Sequence, residues 1–130
     1  VRLADRRPVM VEALARWERP EAALGAGAFI AMAEHAGLAK PLALAVAHTA
    51  MEGLADARQR LPLRLSFNVP LAVLLQADLP ARLEALLARG GMRPADVLLE
   101  LTESTAVRDT ALLRRALQRL DLIGFRVLLD

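Results

Sequence analysis

The sequence LRLSFNV at residues 63–69, which lies between Pro62 and Pro70, is the stretch that decides the fold. It is short, rich in apolar residues and bounded by turn residues, as the strands of a buried parallel sheet are. The flanking prolines favour a strand over a helix of the same composition. Three further runs have the same form and are predicted to be strands: VMVEAL at residues 9–14, VLLELT at 97–102 and FRVLLD at 125–130.

Helical patterns occupy the intervals between these four runs. Leu42, Val46, Ala50 and Leu54 recur every four residues and predict a helix over about residues 41–60. The alternation of strands with helices predicts successive βαβ units, with two helices in the first unit, and therefore an α/β fold with a parallel sheet. The other predicted helices are a short one over about residues 28–34, one that begins after Asp78 as its N-cap and ends at Gly90, and a last one between Asp109 and Gly124.

The composition excludes several classes of protein. Hydrophobic residues make up 55% of the 130 residues, which is enough for a packed core and too many for a disordered chain. The net charge of +2 is too small to indicate a DNA-binding protein, and the absence of cysteine excludes disulfides and thiolate metal sites. No apolar run reaches the roughly 20 residues of a membrane span. The start of the chain is charged rather than signal-like, so we expect a cytoplasmic domain without membrane contact.

Each predicted strand carries an oxygen-bearing side chain at or near its carboxyl end: Glu12, Asn68, Glu100 and Asp130. In a parallel barrel these ends converge on one mouth, where such proteins place their active sites. Three carboxylates and one amide oxygen suit Mg²⁺, Mn²⁺ or Ca²⁺ rather than zinc. Taken alone, each residue is more often a helix cap or a solvated group. Four of them at repeated positions favour a cation site.

Five segments, in order along the chain, resemble the motifs of the EAL family of cyclic di-GMP phosphodiesterases. The first, EALARW at residues 12–17, is similar to the signature that names the family. Each segment alone is a weak signal, since a bare Glu-Ala-Leu occurs by chance, but the ordered set is specific. The other four are FIAMAEHAGL at residues 29–38, FNV at 67–69, LELTES at 99–104 and LIGFRVLLD at 122–130.

The resemblance implies a fold, a reaction and the roles of six residues. The fold is a TIM-type (β/α) barrel, of which residues 1–130 are about the first half, a partial EAL domain truncated at both ends. The reaction is the hydrolysis of one phosphodiester bond of cyclic di-GMP, giving the linear dinucleotide, at a two-metal Mg²⁺ or Mn²⁺ site. The roles carried over from the family are phosphate contact for Arg16, organisation of the loop after its strand for Glu103, and metal ligation for Glu12, Asn68, Glu100 and Asp130.

The chain departs from the family pattern at its ends. It lacks the family's opening strand, and it stops at Asp130, the first of two adjacent aspartates, before the family's later lysine and glutamate. We therefore expect the 130-residue chain to be inactive by itself and to belong to a longer bacterial signalling protein with further signalling domains. A half barrel leaves two unpaired strand edges and exposed apolar surface, so we also expect a homo-oligomer.

Two other functions stay open from the sequence. One is a degenerate EAL module that binds cyclic di-GMP without cleaving it, and a second aspartate, a lysine and a glutamate beyond Asp130 would favour the enzyme instead. The other is an unrelated open α/β domain, such as a receiver-like or nucleotide-binding fold, in which the motifs occur by chance. In that case the strand-end side chains would not converge.

Overall fold

Four parallel strands form one sheet in the order β1-β2-β3-β4, so strands that follow one another in the chain are neighbours in the sheet. The structure, a computed structural model, describes residues 1–2, 4–17, 25–101 and 109–129. The strands are β1 (Met10–Ala13), β2 (Arg64–Val69), β3 (Val97–Leu101) and β4 (Arg126–Leu129). The helices are α1 (Ala26–His35), α2 (Ala39–Arg60), α3 (Leu71–Leu74), α4 (Leu79–Arg89) and α5 (Thr110–Ile123), with a 3₁₀ turn at Pro94–Asp96.

This architecture confirms the predicted α/β class. Helices separate successive parallel strands, and both α1 and α2 lie between β1 and β2, as the long first interval predicted. Four strands are half of the eight that close a TIM-type barrel. Across the described residues, no helix is both long enough and apolar enough to span a membrane.

The two faces of the sheet differ in polarity. On one face of β2, Leu65, Phe67 and Val69 are at most 1% exposed, whereas the alternate positions include the polar Ser66 and Asn68. Because side chains alternate across a strand, the helices cover the apolar face and leave the polar side chains on the other. The apolar core extends from the sheet into the helices through Met51 of α2, Leu83 of α4 and Leu120 of α5.

The limits of both α4 and α5 follow the sequence signals. Asp109 precedes α5, and its carboxylate accepts a hydrogen bond from the backbone N–H of Leu112 at 2.9 Å. Gly124 ends that helix in the left-handed conformation, with φ of 104°. Asp78 occupies the predicted N-cap position of α4, but its side chain makes no capping hydrogen bond. Its carboxylate accepts from Lys40 Nζ at 2.9 Å instead.

An ion-pair cluster at the amino ends of β2 and β3 connects α2 to the sheet. Arg58, near the end of α2, donates to the carbonyl oxygen of Leu63, and its Nη2 lies 3.5 Å from the Asp96 carboxylate. The same carboxylate accepts from the backbone N–H of Arg93 at 3.1 Å and from its side chain at 3.3 Å. The Asp96 side chain is 17% exposed. The hydrogen bond from Arg93 is the main reason that the pKa of Asp96 lies below its ordinary value.

We expect folding stability to fall in acid, and Asp96→Asn to weaken that fall. Because the folded-state pKa of Asp96 is lowered, the unfolded chain binds this proton more readily. The contribution of Asp96 is complete above the ordinary aspartate pKa of about 4 and is lost as the pH falls through the folded-state value. Urea unfolding at a series of pH values measures this effect. Asp56→Asn, on an exposed position of α2, is the matched control, and an equal acid sensitivity of wild type and Asp96→Asn would contradict the prediction.

Candidate functional site

Strand pairing brings three of the predicted ligands to one face of the sheet. Asn68 in β2 is the register partner of Glu100 in β3, and Glu12 in β1 is the partner of Ser66, two residues before Asn68. Paired residues of parallel strands share a face, as do alternate residues of one strand. The Asn68 Nδ2 atom donates to Glu12 Oε1 at 3.4 Å. Glu12, Asn68 and Glu100 therefore converge at the carboxyl ends of three adjacent strands, opposite the apolar core.

The three side chains differ in exposure and in their partners. Glu100 is 9% exposed, Asn68 is partly buried and Glu12 is exposed. Among the described residues, the Glu100 carboxylate has neither a hydrogen-bond donor nor a cation beside it. Its oxygens are not among the fully buried, unpartnered side-chain atoms of these residues, so the carboxylate keeps contact with solvent while it lacks a charged partner. The side chain of Glu100 is thus set where a positive charge would stabilise it.

Two predicted site residues, Glu103 and Asp130, lie outside the described residues. Glu100 pairs in register with Leu128 of β4, which stands two residues before Asp130 in the sequence. Within the ranges that the structure describes, no group of three or more His, Cys, Asp or Glu side chains is placed to hold a metal ion. The structure thus brings together Glu12, Asn68 and Glu100, while the ligand role of Asp130 and the loop role of Glu103 stay predictions.

The described side chains fit a hard divalent cation. Carboxylate oxygens from Glu12 and Glu100 and the amide oxygen of Asn68 are the ligand types that Mg²⁺ and Mn²⁺ prefer. Ser66 Oγ, on the same face, is buried and has no hydrogen-bond partner in the described part of the chain. Among the described residues, this face therefore carries both a buried hydroxyl and a carboxylate without a hydrogen-bond partner.

Arg16 follows β1, which ends at Ala13, so the alternation that assigns faces within the strand does not extend to it. Its side chain is exposed, and its Nη1 atom donates to the carbonyl oxygen of Ala15 at 3.0 Å. Arg16 and Asn68 line the same cavity of about 420 Å³. A guanidinium has five N–H donors, so this position leaves Arg16 able to bind an anion in that cavity.

An aromatic contact holds the segment that carries Arg16. The rings of Trp17 and Phe29 meet edge to face, with centroids 5.7 Å apart and an interplanar angle of 87°. Phe29 is buried in α1, and α1 lines the Arg16 cavity through Ile30 and Glu34. Packing by Trp17 therefore fixes the residues after β1 against the helix on the far side of the cavity.

A second and larger cavity, of about 1050 Å³, lies between β1, α1 and α2. Its lining includes Val11, Ala13 and Leu65, which belong to the apolar face of the sheet. Among the described residues that line it, Arg16 is the one with a charged side chain. Its described lining offers no carboxylate or histidine for catalysis. The described lining of the smaller cavity includes Asn68 but neither Glu12 nor Glu100, so the candidate cation site lies on the polar face of the sheet and shares Asn68 with that cavity.

Sequence comparison gives the same family over the whole chain. A family model described as the EAL domain matches residues 1–130. The chain is 33% identical over 105 residues to an Escherichia coli (strain K12) protein named probable cyclic di-GMP phosphodiesterase PdeB, covering 79% of this chain and 20% of that protein. It is 31% identical over 122 residues to a cyclic di-GMP phosphodiesterase of Pseudomonas aeruginosa, covering 92% of this chain and 21% of that protein.

Solved structures share the fold. The PaMucR phosphodiesterase in complex with c-di-GMP matches with a TM-score of 0.76 and 27% identity, over 92% of this chain and 50% of that one. The EAL enzyme Bd1971 with cAMP and cyclic di-GMP bound matches with a TM-score of 0.81 and 22% identity, over 94% of this chain and 35% of that one. The chain thus spans 20% and 21% of the length of the two curated relatives and no more than half of these solved chains.

Proposed function

Because the chain belongs to the EAL domain family, we propose that it forms part of a domain that hydrolyses cyclic di-GMP to the linear dinucleotide. The observation that carries this proposal is the convergence of Glu12, Asn68 and Glu100 at the carboxyl ends of three adjacent strands. Barrel enzymes hold their reacting groups at these ends. The names of the relatives that are 33% and 31% identical support the same substrate.

In this proposal Glu12, Asn68 and Glu100 hold Mg²⁺ or Mn²⁺ through their side-chain oxygens, and Asp130 supplies a further carboxylate to a two-metal site in the complete domain. The chemistry that such ions supply is acidification of water and neutralisation of charge on the phosphoryl oxygens. The protein's own contribution is geometric. The register of β2 and β3 keeps Asn68 beside Glu100, and the Asn68 amide donates a long hydrogen bond, of 3.4 Å, to the Glu12 carboxylate on the neighbouring strand.

Arg16 is proposed to bind a phosphate of the dinucleotide. Its planar guanidinium presents parallel N–H donors that match the spacing of phosphate oxygens. It is exposed and lines the cavity that Asn68 also lines, so a phosphate bound there would lie near Asn68, one of the proposed cation ligands. Glu103, which follows β3 in the sequence, is proposed to organise the loop on that side of the site.

Residues 1–130 are proposed to form about the first half of the domain. The support is the four-stranded sheet, half of an eight-stranded barrel, and coverage of 50% of the PaMucR phosphodiesterase chain. On this proposal the 130-residue chain alone does not turn over cyclic di-GMP, and it acts within a longer bacterial signalling protein beside other domains. Self-association, predicted from unpaired sheet edges, stays a prediction.

The test is hydrolysis of cyclic di-GMP by the protein at its natural length, in Mg²⁺ or Mn²⁺. Glu12→Ala should lower kcat at least about 100-fold, because it removes a cation ligand. The fold should be kept, since Glu12 is exposed. Glu84→Ala removes an exposed carboxylate on α4 and is the matched control, with turnover expected to equal that of wild type.

Three results would count against this function. Turnover by Glu12→Ala equal to that of wild type would remove the proposed ligand role. Binding of cyclic di-GMP without hydrolysis by the wild-type protein would identify a non-catalytic binding module. If the wild-type protein neither binds nor hydrolyses cyclic di-GMP, the fold serves an unrelated function.

A further inference from the structure

Ser66 places a hydroxyl on the polar face of β2, where the residue is 0% exposed. Its Oγ atom has no hydrogen-bond partner among the described residues. A buried hydroxyl without a partner destabilises the fold, because it has lost its hydrogen bonds to water and gained none in return. An unsatisfied group of this kind in a native fold requires an explanation. One explanation is a second state of the site, in which the hydroxyl donates a hydrogen bond.

The neighbours of Ser66 on that face show to which groups its hydroxyl can donate a hydrogen bond. Its register partners are Glu12 in β1 and Leu98 in β3, and the alternate positions of its own strand are Arg64 and Asn68. Leu98 is apolar, and the side chain of Arg64 carries donors only. The acceptors that the sheet places beside Ser66 are therefore the Glu12 carboxylate and the Asn68 amide oxygen.

The Glu12 carboxylate has acceptor capacity to spare. Its hydrogen bond from Asn68 Nδ2 measures 3.4 Å, which is long for an N–H···O bond. Glutamate has several rotatable bonds, and fixing them costs side-chain entropy that one long bond offsets poorly. A second donor from the strand residue paired with Glu12 in register would fix the direction of the carboxylate.

We propose that Ser66 is a positioning residue, whose hydroxyl donates to the Glu12 carboxylate in the cation-loaded site and orients the oxygen that faces the cation. This inference rests on the proposed function. Ligating carboxylates are themselves held by hydrogen bonds from neighbouring groups, and loss of such a partner weakens metal binding. Ser66 acts in this way without touching the cation. On this proposal the hydroxyl has no partner, and destabilises the fold, when no cation is bound, whereas its hydrogen bond to Glu12 stabilises the loaded site.

Ser66→Ala separates these two effects by their sign. In the cation-free protein at its natural length, the Tm should rise by about 2–5 °C, because the substitution removes an unpartnered buried hydroxyl. The Mn²⁺ dissociation constant, measured by isothermal titration calorimetry, should rise about tenfold or more. A serine with an ordinary structural hydrogen bond would give the opposite pattern, a lower Tm with unchanged Mn²⁺ affinity, and that result would overturn the proposal.

Two further variants make the result specific. Leu65→Val alters a fully buried residue on the other face of the same strand, so it should lower the Tm and leave Mn²⁺ affinity unchanged. Glu12→Ala in the same titration distinguishes this proposal from the proposed function. If Glu12→Ala leaves Mn²⁺ binding unchanged, the proposed cation site fails and the role of Ser66 fails with it. If Glu12→Ala weakens binding and Ser66→Ala does not, the Ser66 proposal alone is wrong.

Discussion

In the protein at its natural length, Glu100→Gln is expected to lower the kcat of cyclic di-GMP hydrolysis at least about 100-fold while leaving the protein folded and no less stable. The substitution keeps the volume and shape of the side chain and removes its charge. The Glu100 residue is 9% exposed, and among the described residues its carboxylate has no donor or cation beside it. Because no partner is lost, removing the charge should not lower the stability of the fold. The same removal takes a negative ligand from the proposed cation site, so activity should fall while stability does not.

Turnover and urea unfolding of the same preparations measure both effects. Glu84→Gln, the same change at an exposed position of α4, should leave both unchanged. A loss of more than about 1.5 kcal/mol in the unfolding free energy of Glu100→Gln would indicate a carboxylate with a structural charge-assisted hydrogen bond, contrary to the site described here. Hydrolysis by Glu100→Gln at the wild-type rate would equally contradict the ligand role.

The strands were predictable because their ends carry local signals. Pro62 and Pro70 enclose the run that forms β2, and Gly124 precedes the run that forms β4. Proline restricts the backbone and glycine permits the left-handed conformation that ends a helix, wherever they occur, so both act without long-range contacts. The four-residue helix α3 was not predicted, since it is too short to show a helical period.

Side chains that respond to distant parts of the chain were predicted less well. Asp78 has the sequence signature of an N-cap, yet it binds Lys40, which lies 38 residues away in the sequence. The helical pattern around Arg58 is that of a solvated surface, yet Arg58 contacts Leu63 and Asp96 at the amino ends of the strands. Local propensity indicates which contacts a charged side chain can make. Which of these contacts forms depends on the partner that the fold brings close to it.

In the candidate site, too, features that follow from local signals were predictable and features that depend on distant residues were not. Period-two alternation and a parallel sheet are enough to place Asn68 and Glu100 side by side, because both follow from the strand assignments. The position of the Arg16 side chain could not be predicted from the alternation of faces along a strand, since β1 ends at Ala13. The burial of the Ser66 hydroxyl could not be predicted either. The sequence predicts that Ser66 lies on the same face as Asn68, but it does not show that this position is closed to water.

The positions of the proposed ligands depend on the apolar face of β2, so Phe67→Ala should have the largest effect on stability. Phe67 is 1% exposed, pairs in register with Ala13 and Leu99 and stands between Ser66 and Asn68 in the strand. Truncating a buried phenylalanine to alanine costs about 3–5 kcal/mol, against a total stability of about 5–15 kcal/mol for a domain. Urea unfolding followed by circular dichroism should show this loss.

Leu122→Ala is the control for Phe67→Ala, because Leu122 is 86% exposed on α5 and the change should stay within about 0.5 kcal/mol. If Phe67→Ala does not fold, Phe67→Leu retains most of the apolar volume and should give a smaller, measurable loss. The burial of Phe67 also fixes the register of β2, since a shift of one residue would turn Asn68 toward the helices. Folded Phe67→Leu protein should therefore keep its Mn²⁺ affinity. A stability loss below about 1 kcal/mol for Phe67→Ala would mean that this face of β2 is not the packed core of the sheet.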